Sequence, residues 1–440
     1  MTPIQPMAGA QARAATAPVR IGVLGCGTVG SEVIRLLGER AEDFAQRSGA
    51  DLELTGIAVR DLETPRGPHV DPALLTTDAR AVATNADIVI ELIGGISPAR
   101  ELVLAALATG ATVVTGNKAL LAAHGPELFD AAAASGADLY YEAAVAGAVP
   151  VVYALRESLA GDTVTRVLGI VNGTTNYILD EMATKGLSFD TVLATAQELG
   201  FAEADPTADV DGHDAAAKAA LLAQLAFHTR VGIDQVSVSG IRNVTAEDIA
   251  QAESAGYTLK LLAIAERVGD DAINVRVAPT LVPHTHPLSS VHGAFNAIVV
   301  ESESAGRLMF YGQGAGGAPT ASAVLSDVVA AASHKVRGGN APRESAYAAL
   351  RVVGPEETTY AQRVRVRVAD EPGVLARVAG SHAEHGVSIQ SVGQLADVEG
   401  DSVVAIVTHP SRGAALTAVT EELGNEPAVR EILSVTPVEA

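Results

Sequence analysis

An α/β fold built on a doubly wound parallel sheet is what the sequence predicts, and three observations predict it. An apolar run over residues 19–24 enters the string Gly25-Cys26-Gly27-Thr28-Val29-Gly30, and a helical pattern with Val29, Val33, Leu36 and Leu37 on one face follows. Further apolar runs recur at 52–59, 87–92, 112–115 and 138–142, with alanine-rich helical stretches between them. Beyond these the rhythm changes: residues 150–318 mix helix and strand signals, and residues 360–440 read as βαββαβ.

The first element carries chemistry. Gly25 permits a tight turn between strand and helix, Gly27 lets a pyrophosphate approach the backbone, and Gly30 lets the helix pack closely on the sheet. The free N–H groups of the helix start, at Thr28 and Val29, then face the phosphates. The alternative is an ordinary tight turn. Strand alternating with helix means a Rossmann-type parallel sheet over 19–149, with ligands at the carboxyl ends of its strands. Two loops border that crevice, Ile93-Gly94-Gly95 and Thr115-Gly116-Asn117-Lys118.

Residues 150–318 read as an α+β domain, with helices at 190–199, 214–228 and 245–253 and extended segments at 164–171, 257–266 and 274–278. The string Gly312-Gln313-Gly314-Ala315-Gly316-Gly317 interrupts it. A helix over 320–333, within a segment 319–353, is expected to return to the first domain. Gly354, Pro355, Glu356 and Glu357 form a linker to a separate compact unit. In that unit residues 363–369 alternate strictly, as a half-buried strand does. The turn Asp370-Glu371-Pro372-Gly373 leads into a helix with Val374, Leu375 and Val378. Extended runs at 387–392 and 403–407, a helix at 414–423 and a strand at 434–438 complete a ferredoxin-like order.

Composition bounds the function. The 440 residues suffice for roughly two to four domains. No apolar run reaches membrane-spanning length, and the first 18 residues, rich in Ala, Pro and Gln, read as a disordered tail without a signal-peptide core. The formal net charge of −22 argues against nucleic acid or an anionic membrane as partner. Cys26 is the single cysteine, so internal disulfides and cysteine-cluster metals are excluded and a reducing, cytoplasmic setting is expected.

The segment Glu203-Ala-Asp-Pro-Thr-Ala-Asp-Val-Asp-Gly-His-Asp-Ala-Ala-Ala-Lys218 crowds Asp205, Asp209, Asp211 and Asp214 together just before a helix. The i, i+4 spacing places Asp214 and Lys218 on one face. A lysine held beside carboxylates can give a proton to a carbonyl oxygen, and the other carboxylates suit an ammonium. The bland reading is a capped helix start with a solvated ion pair. A calcium loop is excluded, because Lys218 falls where a bidentate glutamate is required. Asn172-Gly-Thr-Thr-Asn-Tyr177 reads as a polar loop, and His284-Thr-His286 as a surface loop rather than a metal site.

These motifs together resemble homoserine dehydrogenase in its form with a C-terminal ACT domain. The resemblance runs over 19–440 through the glycine string, 115–118, Glu142-Ala-Ala-Val-Ala-Gly147, Asn172-Gly-Thr-Thr-Asn176, 203–218 and 312–316. It implies interconversion of L-homoserine and L-aspartate 4-semialdehyde with a nicotinamide cofactor, in the pathway to threonine, methionine and isoleucine. It makes Lys218 the proton-transfer residue, with Lys118 as a second catalytic lysine. Substrate contacts fall on Glu203, Asp209, Asp214 and Thr174, with Asp214 also serving catalysis. Cofactor contacts fall on Gly25, Gly27, Thr28, Val29, Gly30, Arg60, Thr115, Lys118, Gly200 and Gly316. A monovalent cation, sodium, falls to Glu142 and the carbonyls of Val145, Gly147 and Val149. Arg60 follows the second strand where an acidic residue would bind the NAD ribose, which favours NADP(H). Asp61 beside it keeps NAD(H) open. The ACT resemblance implies threonine as a feedback inhibitor, and the whole implies a homo-oligomer, dimer or tetramer. An acylating aldehyde dehydrogenase is excluded, because its nucleophilic cysteine has no counterpart outside the glycine turn.

Overall fold

The structure is a computed structural model that describes residues 17–341, 344–396 and 401–439. All but the last two residues of the expected N-terminal tail lie outside the described residues. The chain divides into two compact units, 1–148 with 316–344, and 149–315 with 345–440.

The first unit opens with β1 (Val19–Leu24), β2 (Leu52–Ala58), β3 (Leu75–Thr76), β4 (Ile88–Glu91), β5 (Thr112–Thr115) and β6 (Leu139–Tyr140). All pair in parallel, in the order β3-β2-β1-β4-β5-β6. The order turns back beside β1, which sets the crevice at the carboxyl ends of β1 and β4. Ile88, Val89 and Ile90 are wholly buried, as expected for a central parallel strand covered on both faces. Its helices are α1 (Thr28–Glu39), α2 (Ala41–Ser48), α3 (Ala79–Thr84), α4 (Ala99–Ala108), α5 (Lys118–Ser135) and α6 (Glu142–Ala146). The buried stripe of α1 is Gly30, Val33, Ile34 and Leu37, not the stripe through Val29 and Leu36 that the pattern predicts. The two-residue β3 carries too little pattern to be read from sequence. The run at 138–142 forms strand only at Leu139–Tyr140, because Glu142 already opens α6.

The second unit begins with α7 (Val151–Tyr153), β7 (Val164–Ile170), α8 (Gly173–Lys185), α9 (Phe189–Glu198), α10 (Thr207–Val210) and α11 (His213–Phe227). There follow β8 (Ser237–Val238), α12 (Ala246–Ser254), β9 (Tyr257–Val268), β10 (Ala272–Pro283), β11 (Phe295–Ser302) and β12 (Gly306–Gln313). The expected polar loop at 172–177 is therefore the start of a helix. Asn172 is its N-cap and accepts the Thr175 N–H at 2.8 Å. The helix α13 (Gly317–Arg337) belongs to the first unit, and its last turn carries His334, Lys335 and Arg337, which suits the negative end of the helix dipole.

The chain re-enters the second unit through β13 (Arg351–Val353), β14 (Thr359–Ala369), α14 (Val374–Glu384), β15 (Ile389–Ala396), β16 (Asp401–Thr408), β17 (Ser411–Arg412), α15 (Gly413–Asn425) and β18 (Val429–Val438). The strands β18-β14-β16-β15 are antiparallel neighbours, with α14 and α15 between them in sequence. They are not a separate unit. One sheet runs β12-β11-β7-β9-β10-β18-β14-β16-β15, joined where Leu281 meets Val438 and where the Glu439 N–H donates to the Leu281 carbonyl at 2.8 Å. The alternating strand β14 is likewise covered on both sides. Val364, Val366 and Val368 face an apolar core, while buried Arg365 reaches Asp248 at 2.6 Å on α12.

Candidate active site

The glycine turn of the first unit has the geometry of a phosphate cradle. Gly25 has φ +100°, and a Cβ there would come within 2.7 Å of the Leu92 carbonyl oxygen. Gly27 is the N-cap of α1, no side chain caps that end, and a Cβ built on it meets nothing within 4 Å. The first turn of α1 carries no acidic residue, so its unpaired N–H groups present a positive end to an anion. Gly30 is required for a different reason than expected. A Cβ there would come within 2.3 Å of the Gly25 carbonyl oxygen, so it clears the turn rather than the sheet. Gly316, at φ +125°, is the N-cap of α13, and a Cβ on Gly317 would come within 3.2 Å of Thr28 Cγ2. Two helix N-termini thus converge within the first unit.

A cavity of about 800 Å³ opens from this turn, lined by Gly25, Gly27, Arg60, Asp61, Arg66 and Pro98 among others. Arg60 is exposed, and no hydrogen bond or ion pair holds its side chain among the described residues. The Asp61 carboxylate is turned into its own loop, accepting the Glu63 N–H at 2.9 Å and the Thr64 hydroxyl at 2.8 Å. Those bonds hold it below the usual carboxylate range. At the end of β4 the wholly buried Glu91 accepts the Thr115 hydroxyl at 2.6 Å and the Ile93 N–H at 2.9 Å. The Thr115 side chain thereby organises the loops at this end of the sheet, its hydroxyl also accepting the Asn117 N–H at 3.0 Å. Asn117 caps α5 through the Leu120 N–H, and Lys118 is exposed as the first residue of that helix.

The second unit holds the carboxylate–lysine cluster. Lys218 and Asp214 lie one turn apart on α11, 2.9 Å from Nζ to Oδ2, with side chains only 9% and 4% exposed. Lys218 also donates to the Val171 carbonyl at 2.6 Å. Asn172 Nδ2 donates to Asp209 Oδ1 at 2.6 Å and to Asp214 Oδ2 at 2.8 Å, so one amide holds two like charges together. Asn296 Nδ2 adds a bond to the same Val171 carbonyl at 3.1 Å. Such a cluster fixes an ammonium among acceptors in a dry site, as a proton donor to a carbonyl requires. The solvated-ion-pair reading is excluded by this burial.

Not every acidic residue of the 203–218 segment joins the cluster. Asp211 pairs with Arg242 at 2.8 Å and Asp205 accepts the Thr207 N–H at 3.1 Å. Glu203 is exposed, and its carbonyl accepts from Gln197. The Thr174 hydroxyl donates to the Phe201 carbonyl at 2.7 Å, which ties α8 to the chain leading to Glu203. Gly200, at φ +77°, closes α9. Glu142 is buried at the start of α6 and its N–H donates to Asp327 at 2.9 Å. Val145 is buried in that helix, Gly147 ends it at φ +58°, and buried Val149 opens the second unit. His286 caps a short 3₁₀ turn by accepting the Leu288 N–H at 3.3 Å, and no group of three His, Cys, Asp or Glu suits a metal among the described residues.

Asn172 as a bridge, Asn296, the Val171 carbonyl and Glu91 all escape the sequence reading. Carbonyls leave no mark in sequence, and Asn296 lies far along the chain. In the structure Gly314 makes room for this amide, since a Cβ there would come within 2.1 Å of the Asn296 side chain.

Comparison with known proteins settles the family. The homoserine dehydrogenase family matches residues 150–329, and its NAD-binding domain matches residues 25–142. Homoserine dehydrogenase of Corynebacterium glutamicum is 54% identical, over 96% of each chain. The crystal structure of a homoserine dehydrogenase from Thiobacillus denitrificans superposes with a TM-score of 0.91 at 38% identity, covering 96% of this chain and 98% of that one. A hyperthermophilic archaeal homoserine dehydrogenase, solved in complex with NADPH, gives a TM-score of 0.61 at 26% identity over 72% of this chain and 98% of its own. With its glycine turn, its nucleotide cavity and its buried lysine–aspartate pair, the chain belongs to the homoserine dehydrogenases, oxidoreductases that interconvert L-homoserine and L-aspartate 4-semialdehyde.

Proposed function

We propose that Lys218 transfers the proton in this reaction and that NADP(H) is the preferred cofactor, with NAD(H) the weaker alternative. The single observation that carries the first part is the buried Lys218 ammonium fixed between Asp214 and the Val171 carbonyl. The nicotinamide, when bound, supplies or accepts the hydride. In the reducing direction Lys218 gives a proton to the carbonyl oxygen of the semialdehyde as its π pair moves onto that oxygen. In the oxidising direction it takes the proton back. Asp214 holds the ammonium in place, and Lys118 adds positive charge that stabilises the developing alkoxide. Glu203, Asp209 and Asp214 receive the substrate ammonium, and Thr174 braces the segment before Glu203.

The cofactor preference rests on exposed Arg60 at the cavity and on the Asp61 carboxylate, which is occupied by its own turn. The NADPH-bound archaeal relative supports it. Sodium is the proposed ion for Glu142 and the carbonyls of Val145, Gly147 and Val149. The buried carboxylate fits, because it starts a five-residue helix whose last carbonyls have no intrahelical partner. Threonine is the proposed effector at a cavity of about 290 Å³ lined by Asp370, Gly373, Val374 and Gln394, where Gly373 at φ +91° opens α14. A homo-oligomer, dimer or tetramer, in the cytoplasm completes the reading. It is supported by the edge strand β12, which exposes Met309 and a Tyr311 stacked on Phe295. The deciding test is oxidation of NADPH and of NADH with L-aspartate 4-semialdehyde, in wild type and in Lys218→Ala. Turnover that survives the substitution rejects the assignment of Lys218.

A further inference from the structure

Two amides from distant parts of the second unit hold the Lys218 cluster. Asn172, the N-cap of α8, bridges Asp209 and Asp214, while Asn296 on β11 donates to the Val171 carbonyl that also accepts Lys218. Both amides depend on one joint. Asn172, Asn176 and Asp180 recur every four residues along α8 and so share a face. That face meets residues 291–294, which lead directly into β11. Asn176 Nδ2 donates to the Gly293 carbonyl at 2.8 Å and to the Val291 carbonyl at 3.2 Å. The Asp180 carboxylate accepts the Gly293 N–H at 2.8 Å and meets His292 Nδ1 at 2.8 Å. A Cβ on Gly173 would come within 2.7 Å of the Ala294 carbonyl oxygen, so the first turn of α8 lies against the same segment.

Lys260 joins the two sides of this joint. It is wholly buried on β9, and Leu262 and Ile264, on the same side of the strand, belong to an apolar core with Leu168, Ile170 and Val291. Its ammonium donates to Asn176 Oδ1 at 3.1 Å and to the Val291 carbonyl at 2.7 Å, one partner on the helix and one on the segment. Asp180 and Glu253 favour its charge, while burial opposes it. An apolar side chain of similar volume fills such a place without desolvating a charge, so core packing does not call for a lysine here. What the ammonium adds is direction: it ties α8 to the start of β11 at a fixed distance.

We propose that Lys260 is a positioning residue for the proton transfer: through Asn176 and Val291 it fixes α8 against residues 291–294, and so sets Asn172 and Asn296 on the Lys218 cluster. The inference rests on the reading of Lys218 as the proton donor. A shift of either amide moves Asp214 or Val171, the two partners that aim the Lys218 ammonium. A misplacement of roughly 1 Å at a reacting group costs on the order of 10²-fold in rate.

The test pairs kinetics with urea unfolding in the full chain. Lys260→Met should lower kcat at saturating substrate about 10- to 100-fold. KM for NADPH should stay within about threefold, since the nucleotide cavity is built from the first unit. A wild-type kcat, or one that falls only in proportion to the folded fraction, overturns the proposal. Lys260→Met combined with Asn176→Leu removes the ammonium together with its acceptor, and keeps the test open should the single variant not fold. It should be stable and equally slow, and a kcat that returns with stability overturns the proposal as well. Asn172→Ser keeps a cap on α8 and loses the bridge. Joined to Lys260→Met it should lose less than the product of the two single losses, because both act on the same cluster. Losses that multiply reject Lys260 as a residue acting through that cluster. The parent reading fails separately, by near wild-type kcat in Lys218→Ala, whatever Lys260→Met does.

Discussion

Replacing Lys218 by alanine removes two things at once, and their sizes coincide. The ammonium lies 2.9 Å from Asp214 and 2.6 Å from the Val171 carbonyl, with both side chains buried. Its removal leaves a buried carboxylate without its cation, a loss of about 3–5 kcal/mol in stability. A positioned proton donor contributes about 10²- to 10⁴-fold in rate, which is about 3–5 kcal/mol in the activation barrier. A dead single variant therefore does not distinguish a missing catalyst from a collapsed site. Lys218→Met combined with Asp214→Asn does, because it takes out both charges together and should return most of the stability while the proton donor stays absent.

The assay follows NADPH absorbance with L-aspartate 4-semialdehyde, and urea unfolding is measured on the same preparations. Lys218→Ala should lose at least about 10²-fold in kcat and the double variant should lose as much, with stability restored only in the latter. NADPH affinity should hold within about threefold in both, since the glycine turn and its cavity are built wholly from the first unit. Near wild-type kcat in the single variant, or turnover that returns with stability in the double, refutes the role of Lys218.

Arg60→Ala should raise KM for NADPH by roughly 10-fold or more and leave KM for NADH nearly unchanged, as a charge-assisted contact to the 2′-phosphate predicts; equal effects on the two cofactors reject it. Lys260 is wholly buried, donates to Asn176 at 3.1 Å and to the Val291 carbonyl at 2.7 Å, and burial holds its pKa at about 8. The folded value lies below the unfolded one, so the unfolded chain binds the extra proton between about pH 8 and 10.5, and stability should rise across that window by up to about 3 kcal/mol. Urea midpoints against pH should show that rise in wild type and not in Lys260→Met. Threonine at millimolar concentration should inhibit the full chain, and truncation before Glu356 should abolish the response and lower the melting temperature. Inhibition that persists after truncation places the effector elsewhere.

The parallel sheet was legible because its strands are buried on both faces and so read as continuous apolar runs between glycine-marked loops. The Asp214–Lys218 pair was legible because helical spacing alone brings the two side chains together. What pairs across distance was not. Asn172 sits 37 residues before Asp209 and 42 before Asp214, and nothing local marks an amide that will bridge both. Glu91 looked like one more strand residue, although it gathers Thr115, Ile93 and Asn117 around the crevice. Periodicity erred by phase at α1, where Ile34 and not Leu36 completes the buried stripe.

The C-terminal unit shows why alternation is an incomplete guide. Arg363-Val-Arg-Val-Arg-Val-Ala369 alternates as a half-wet strand would, yet Arg363 and Arg365 are buried. Charge alternation reports which residues leave the apolar core, not whether water meets them. Acids on α12 meet Arg365 instead: Glu247 and Asp248, in the first turn of a helix capped by Thr245, bind its guanidinium. A second ionic joint lies at the end of the chain, where Arg166 of β7 is held by Glu439 at 2.8 Å and by Glu266 at 3.0 Å. The strand that starts beside this joint ends at Ile170, and the next residue, Val171, holds Lys218. Truncation before Glu356 therefore strips Arg166 of one carboxylate, leaves Glu247 and Asp248 without their cation, and removes the neighbour of β10. Arg166 is the largely buried charge among these, and losing one partner there destabilises more than losing one at the exposed Glu247. The lowered melting temperature follows from that, and a truncated protein as stable as the full chain would show these joints to be worth as little as surface pairs.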